Sequence, residues 1–112
     1  MIKVTIKSNN GKVNYLSVTG HANSDAYGKD LVCAGVSSVI TGAFNNLLDT
    51  KNLKLVLKEG NASLEVLKGE LSEHDQIVIE TLITGLKTIR ESNPKSIEIE
   101  NFWRKDVSSY DV

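Results

Sequence analysis

Two stretches of this chain space their apolar residues as a helix with a single greasy stripe. Two strand-like segments precede each of them. In the first stretch Val36, Val39, Ile40, Ala43, Phe44, Leu47 and Leu48 recur at intervals of three and four after Cys33. In the second, Val78, Ile79, Leu82, Ile83, Leu86 and Ile89 do the same. A helix apolar on one stripe must bury that stripe against another layer. The segments between alternate every second residue, the period of a strand with one covered face.

Ile2, Val4 and Ile6 alternate with Lys3, Thr5 and Lys7 over residues 2–7. Asn9-Asn10-Gly11 is a turn signal, because these residue types tolerate positive φ, and residues 13–19 return as a second strand. Leu53, Leu55 and Leu57 alternate with Lys54, Val56 and Lys58. Leu64 and Val66 resume the alternation beyond a turn at Gly60-Asn61. Ser72 has the character of a helix N-cap, with Asp75 at the position where a capping box normally carries glutamate. Pro94, the only proline, stops the second helix, and residues 96–100 alternate as a last strand. The expected order is β-β-α-β-β-α-β. The expected fold class is α+β, with two helices packed on one face of a mixed or antiparallel sheet, in one domain over residues 1–112. The tail from residue 101 carries no clear pattern. Phe102 and Trp103 are expected on a sheet edge or a subunit contact.

Composition excludes several classes. A formal net charge of −1 gives no overall pull toward nucleic acid or anionic membrane. One cysteine makes no intramolecular disulfide, which favours a reducing compartment or a reactive thiol. The opening MIKVTIKSNN lacks the apolar core of a signal peptide, and no run approaches the ~20 apolar residues of a membrane helix. A cytoplasmic protein is expected. One cysteine and two histidines supply no close ligand cluster, so neither a metal nor a cofactor is expected. Gly20, Gly28 and Gly35 fit no phosphate-binding glycine pattern. His74, in the first turn of the second helix, is expected to face solvent.

The remaining question is the polar stretch GHANSDAYGKDLVCAGVSS, residues 20–38, which runs from His21 to Cys33. Read as a loop over residues 20–32, it is long for a compact domain, and loops of that length are commonly functional. It is also long enough for its ends to meet. Cys33 then stands at the start of the first helix. Unpaired amides and the helix dipole there favour the anionic sulfur that attacks carbonyls. Paired with His21, it would be an activated nucleophile. The plainer reading makes Cys33 the first residue of the buried stripe and His21 a polar surface residue. Asp30 is either the helix N-cap or the carboxylate that orients the imidazole. Ser37, one turn after Cys33, either bonds a backbone carbonyl or shapes the floor beneath the thiol.

Gly20-His21-Ala22, then Gly28-x-Asp30-x-Val32-Cys33, then Ser37, resembles the motif of the ribosomal-processing cysteine protease family, Prp. The resemblance extends through the order of elements to about residue 100; the tail beyond Phe102 looks longer than the family pattern. It implies a cysteine endopeptidase that removes the N-terminal extension of large-subunit ribosomal protein twenty-seven. In that reading Cys33 is the nucleophile and His21 the base, while Asp30, Ser37, Gly28 and Gly20 support them. It also implies a homodimer, no direct contact with nucleic acid or membrane, and a His–Cys loop that orders over substrate. Two other functions fit the residues alone. One is a non-enzymatic module that binds a ribosomal protein or assembly partner, with Cys33 as packing. The other is a redox sensor, which needs an accessible thiol but not His21.

Overall fold

The computed structural model describes residues 1–21 and 27–103, the side chains of residues 27–30 and 103 excepted. The elements follow the expected order: β1 (Ile2–Asn9), β2 (Lys12–Gly20), α1 (Tyr27–Asn45), β3 (Leu53–Lys58), β4 (Asn61–Val66), α2 (Glu73–Ser92) and β5 (Ile97–Trp103). The strands form one five-stranded sheet in the order β3-β4-β2-β1-β5. All pairings are antiparallel except β1 with β5, so the sheet is mixed.

The alternation in β1 is obeyed without exception: Ile2, Val4 and Ile6 are buried and Lys3 and Lys7 are exposed. β1 and β2 join through Asn10 and Gly11, both at positive φ (55° and 80°), the geometry that two-residue hairpins favour. In β2 the buried positions are Val13, Leu16 and Val18, a spacing of three and then two. The cause is a bulge. Lys7 pairs with Tyr15 but Ser8 pairs with Val13, so Asn14 is the extra residue and the strand changes face there. On the opposite face Lys3 reaches Glu100 at 3.3 Å and the Lys7 ammonium lies 5.0 Å from the Tyr15 ring centre.

The helices share the apolar side. Val32, Val36, Ile40, Phe44 and Leu47 from the first helical segment meet Val78, Ile79, Leu82 and Leu86 from α2. Both sets rest on Ile2, Val4, Leu16 and Leu64 of the sheet. Leu48, expected on the stripe, is instead 73% exposed. α1 has already ended, tightening through Asn46 N–H to the Ala43 carbonyl and Leu47 N–H to that of Phe44, and the chain turns away.

Ser72 caps α2 as expected, its hydroxyl accepting the Asp75 amide at 3.1 Å. Asp75 does more than its sequence position suggests. Its carboxylate is buried and accepts the Leu48 and Asp49 amides at 2.9 and 3.0 Å, pinning the chain after α1 to the start of α2. His74 Nδ1 lies 2.9 Å from the same carboxylate, while the ring stays partly in solvent. Neighbouring Gln76 is also buried. It accepts the Val13 amide beside the bulge at 2.9 Å and donates to Glu80 at 2.8 Å. At the far end Asn93 closes the helix by donating to the Arg90 and Ile89 carbonyls, one residue before Pro94.

One expectation about the polar stretch cannot be placed and another changes. Residues 22–26, and with them any ordering of the His–Cys loop, lie outside the described residues. Residues 27–32, read as loop, are helix, because α1 begins at Tyr27. The apolar rhythm conceals these turns: Leu31 is exposed and Val32 is buried, so the first turns show no stripe that a pattern search would detect.

Candidate active site

The C-terminal end of β2 is where three elements converge. Ile2 pairs with Gly20 on one side, and on the other Thr19 pairs with Asn61. The Gly20 amide donates to the Gly60 carbonyl at 3.0 Å, which carries the pairing one step beyond the ladder. Gly20 has φ 95°, and a β-carbon there would collide with the Met1 carbonyl oxygen, so both the dihedral and the close approach require glycine. His21 follows at once. Its carbonyl accepts the Met1 ammonium at 2.6 Å, and its side chain lies against Gly60. His21 thus leaves the end of the central strand held by Met1 on one side and Gly60 on the other, and it remains exposed.

α1 passes over this end of the sheet and supplies the facing wall. Val36 and Ile40 point into the core. Cys33 and Ser37, one turn apart, lie along the margin of the stripe with Ala34 and Thr41. Cys33 is half-buried and packs against the core cluster, so part of the packing reading is correct. It also lines an open cleft of about 380 Å³ together with His21 and Ser37. The β3–β4 turn closes the cleft from the side through Lys58, Glu59, Gly60 and Asn61.

A folded cleft therefore joins two residues twelve positions apart in sequence, a thiol on a helix and an imidazole at a strand end. These are the two groups that thiol-dependent acyl transfer requires: a sulfur nucleophile and a base able to take its proton. Among the described residues no cluster of histidine, cysteine, aspartate or glutamate could hold a metal ion.

The residues match the family model for cysteine protease Prp over positions 1–98. The chain belongs to this protease family. It is 32% identical over 107 residues to the ribosomal processing cysteine protease Prp of Bacillus subtilis, covering 88% of this chain and 96% of the relative. It is 31% identical over 103 residues to that of Staphylococcus aureus, covering 88% and 97%. The crystal structure of the Staphylococcus aureus Prp with a covalently linked product peptide superposes with a TM-score of 0.78 at 29% identity, covering 90% of this chain and 99% of that one. A second structure of that enzyme, with a substrate peptide, gives a TM-score of 0.73 at 27% identity over the same shares. The present chain is accordingly a cysteine protease of the Prp family.

Within that family assignment the site residues fall into two groups. Cys33, His21, Ser37 and Gly20 are brought together at one cleft. Gly28 and Asp30 are the second and fourth residues of α1. Asp30 is inside the helix and is not its N-cap, and its role as an orienting carboxylate concerns a side chain outside the described ones. Cys33 is the seventh residue of α1, so the unpaired amides of the first four positions all lie before it. Its own amide belongs to the internal ladder of the helix, which removes the helix-start geometry expected around the thiol. The sequence offered no pointer to the β3–β4 turn, because nothing in the local pattern says which hairpin edge pairs with β2. The glycine at position 60 was legible only as a turn residue.

Proposed function

We propose that this protease removes the N-terminal extension of large-subunit ribosomal protein twenty-seven, with Cys33 as nucleophile and His21 as base. The observation that carries the reading is that both side chains line one open cleft, although the chain between them is long. The names of the relatives supply the ribosomal context: the Bacillus subtilis and Staphylococcus aureus proteins are ribosomal processing proteases. Peptide-bound structures of the Staphylococcus aureus enzyme favour a peptide as the substrate.

In the proposed mechanism His21 takes the proton of the Cys33 thiol. The sulfur attacks the scissile carbonyl, and the tetrahedral intermediate collapses as the imidazolium returns that proton to the leaving amine. A thioester now links the N-terminal fragment to Cys33. Water, deprotonated by the neutral imidazole, attacks it and frees the acid and the thiol. Gly20 fixes where His21 leaves the sheet. Ser37, exposed one turn from Cys33, borders the peptide, and Asp30 and Gly28 act from the first turns of α1. The enzyme works in the cytoplasm as a homodimer. The half-exposed Phe102 on edge strand β5 suits a subunit contact.

The test is mass spectrometry of the extended ribosomal protein incubated with wild type, Cys33→Ala, Cys33→Ser and His21→Ala. Wild type is expected to release the extension, and each variant to lose at least about 10³-fold in turnover. An extension left intact by wild type removes the substrate assignment and favours a different peptide. Undiminished turnover in both Cys33 variants removes Cys33 as nucleophile.

A further inference from the structure

The β3–β4 turn meets His21 at Gly60. Its φ is 74°, in the left-handed region. A β-carbon built there would stand 2.7 Å from Nε2 and 2.9 Å from Cε1 of His21, with Cδ2 next at 3.6 Å. All three nearest atoms belong to the imidazole, and none is backbone. The far edge of the ring therefore rests directly on the glycine α-carbon.

We propose that Gly60 is a positioning residue of the protease: its missing side chain is the seat that holds the His21 ring in the cleft it shares with Cys33. The inference rests on the reading of His21 as the base. The Gly60 carbonyl, accepting the Gly20 amide at 3.0 Å, locks the seat to the strand that carries His21. One residue thus fixes both the backbone from which the imidazole springs and the surface it lies on. A methyl group at position 60 meets the ring before any backbone atom, so besides the strain of its φ it must push the imidazole aside. The shift is about 0.7 Å if the contact relaxes from 2.7 to 3.4 Å, and displacements near 1 Å at reacting groups lower rates by up to ~10²-fold.

The fold provides its own controls. Gly11 and Gly69 have φ 80° and 75°, nearly that of Gly60, yet a β-carbon at either meets nothing within 4 Å. Gly11→Ala and Gly69→Ala impose similar backbone strain without touching His21. Gly60→Asn is a second variant for the site, because asparagine tolerates the left-handed region better than alanine while still carrying a β-carbon.

Cys33 is the only cysteine, so iodoacetamide labelling reports on it alone. We would measure the alkylation rate from pH 5 to pH 9, and kcat and KM on the peptide that wild type cleaves, for all five variants including His21→Ala. Gly60→Ala and Gly60→Asn are expected to lose about tenfold or more in kcat, with KM within about threefold. Their alkylation profiles should move toward that of His21→Ala, while Gly11→Ala and Gly69→Ala follow wild type. If His21→Ala changes the profile but both Gly60 variants keep wild-type kcat and wild-type profiles, the seat is refuted and the base stands. If His21→Ala itself alkylates and cleaves as wild type does, the base reading falls and takes the seat with it.

Discussion

Replacing Asp75 with alanine is expected to be among the most damaging changes outside the cleft. The carboxylate is 0% exposed and accepts two amides, from Leu48 at 2.9 Å and Asp49 at 3.0 Å. A hydrogen bond to a charged partner contributes about 1.5–3 kcal/mol. Truncation removes two of them and leaves their donors partly buried, for a loss of about 3–5 kcal/mol after some rehydration. Against a total stability of about 5–15 kcal/mol, that is a large fraction. At about 4 °C per kcal/mol the midpoint should fall by about 12–20 °C. Asp75→Asn keeps one acceptor and should lose roughly half as much. Urea and thermal unfolding of wild type and both variants, repeated across pH, would measure this. Burial pulls the Asp75 carboxyl toward its neutral form, but the His74 hydrogen bond, the two amides and the His74 charge outweigh it, so its pKa lies below the ordinary 3.8. A carboxylate with a depressed folded-state pKa stabilises fully above its unfolded pKa, and loses that contribution as pH falls through the folded value. The gap between wild type and Asp75→Ala should therefore be present at about pH 5 and narrow below about 4. A midpoint loss under about 3 °C, or a gap that stays unchanged down to about pH 2, would refute the account.

Two further substitutions test the fold. Ser72→Ala removes the hydroxyl that accepts the Asp75 amide and should cost about 1 kcal/mol in urea unfolding, with cleavage activity retained. Leu64→Ala empties a position with no exposed surface at the centre of β4, and should cost about 2–5 kcal/mol by the same measurement.

The elements themselves were legible because each signal is local. Ile2, Val4 and Ile6 state a strand, Val78 to Ile89 state a helix face, and Ser72 and Pro94 mark where that helix starts and stops. Departures occur where a local rule meets a distant partner. Leu48 has the right spacing for the stripe, yet the Asp75 carboxylate draws its amide out of helical register. Asp75 itself occupies a capping-box position but serves a different segment. The bulge at Asn14 is invisible in sequence, because it is defined by the pairing of two strands.

The same division runs through the site. Which residues could do chemistry was a property of the chain: one thiol, and a histidine directly after a glycine. Their membership of one cleft was decided by the tertiary structure, through the helix that carries Cys33 across the end of β2. So was the approach of Gly60, which depends on β4 pairing with β2 and not with another edge. Side-chain periodicity is encoded within a few residues, whereas strand order and cleft walls come from contacts between segments tens of residues apart. Those contacts are selected only when the whole apolar surface is buried at once.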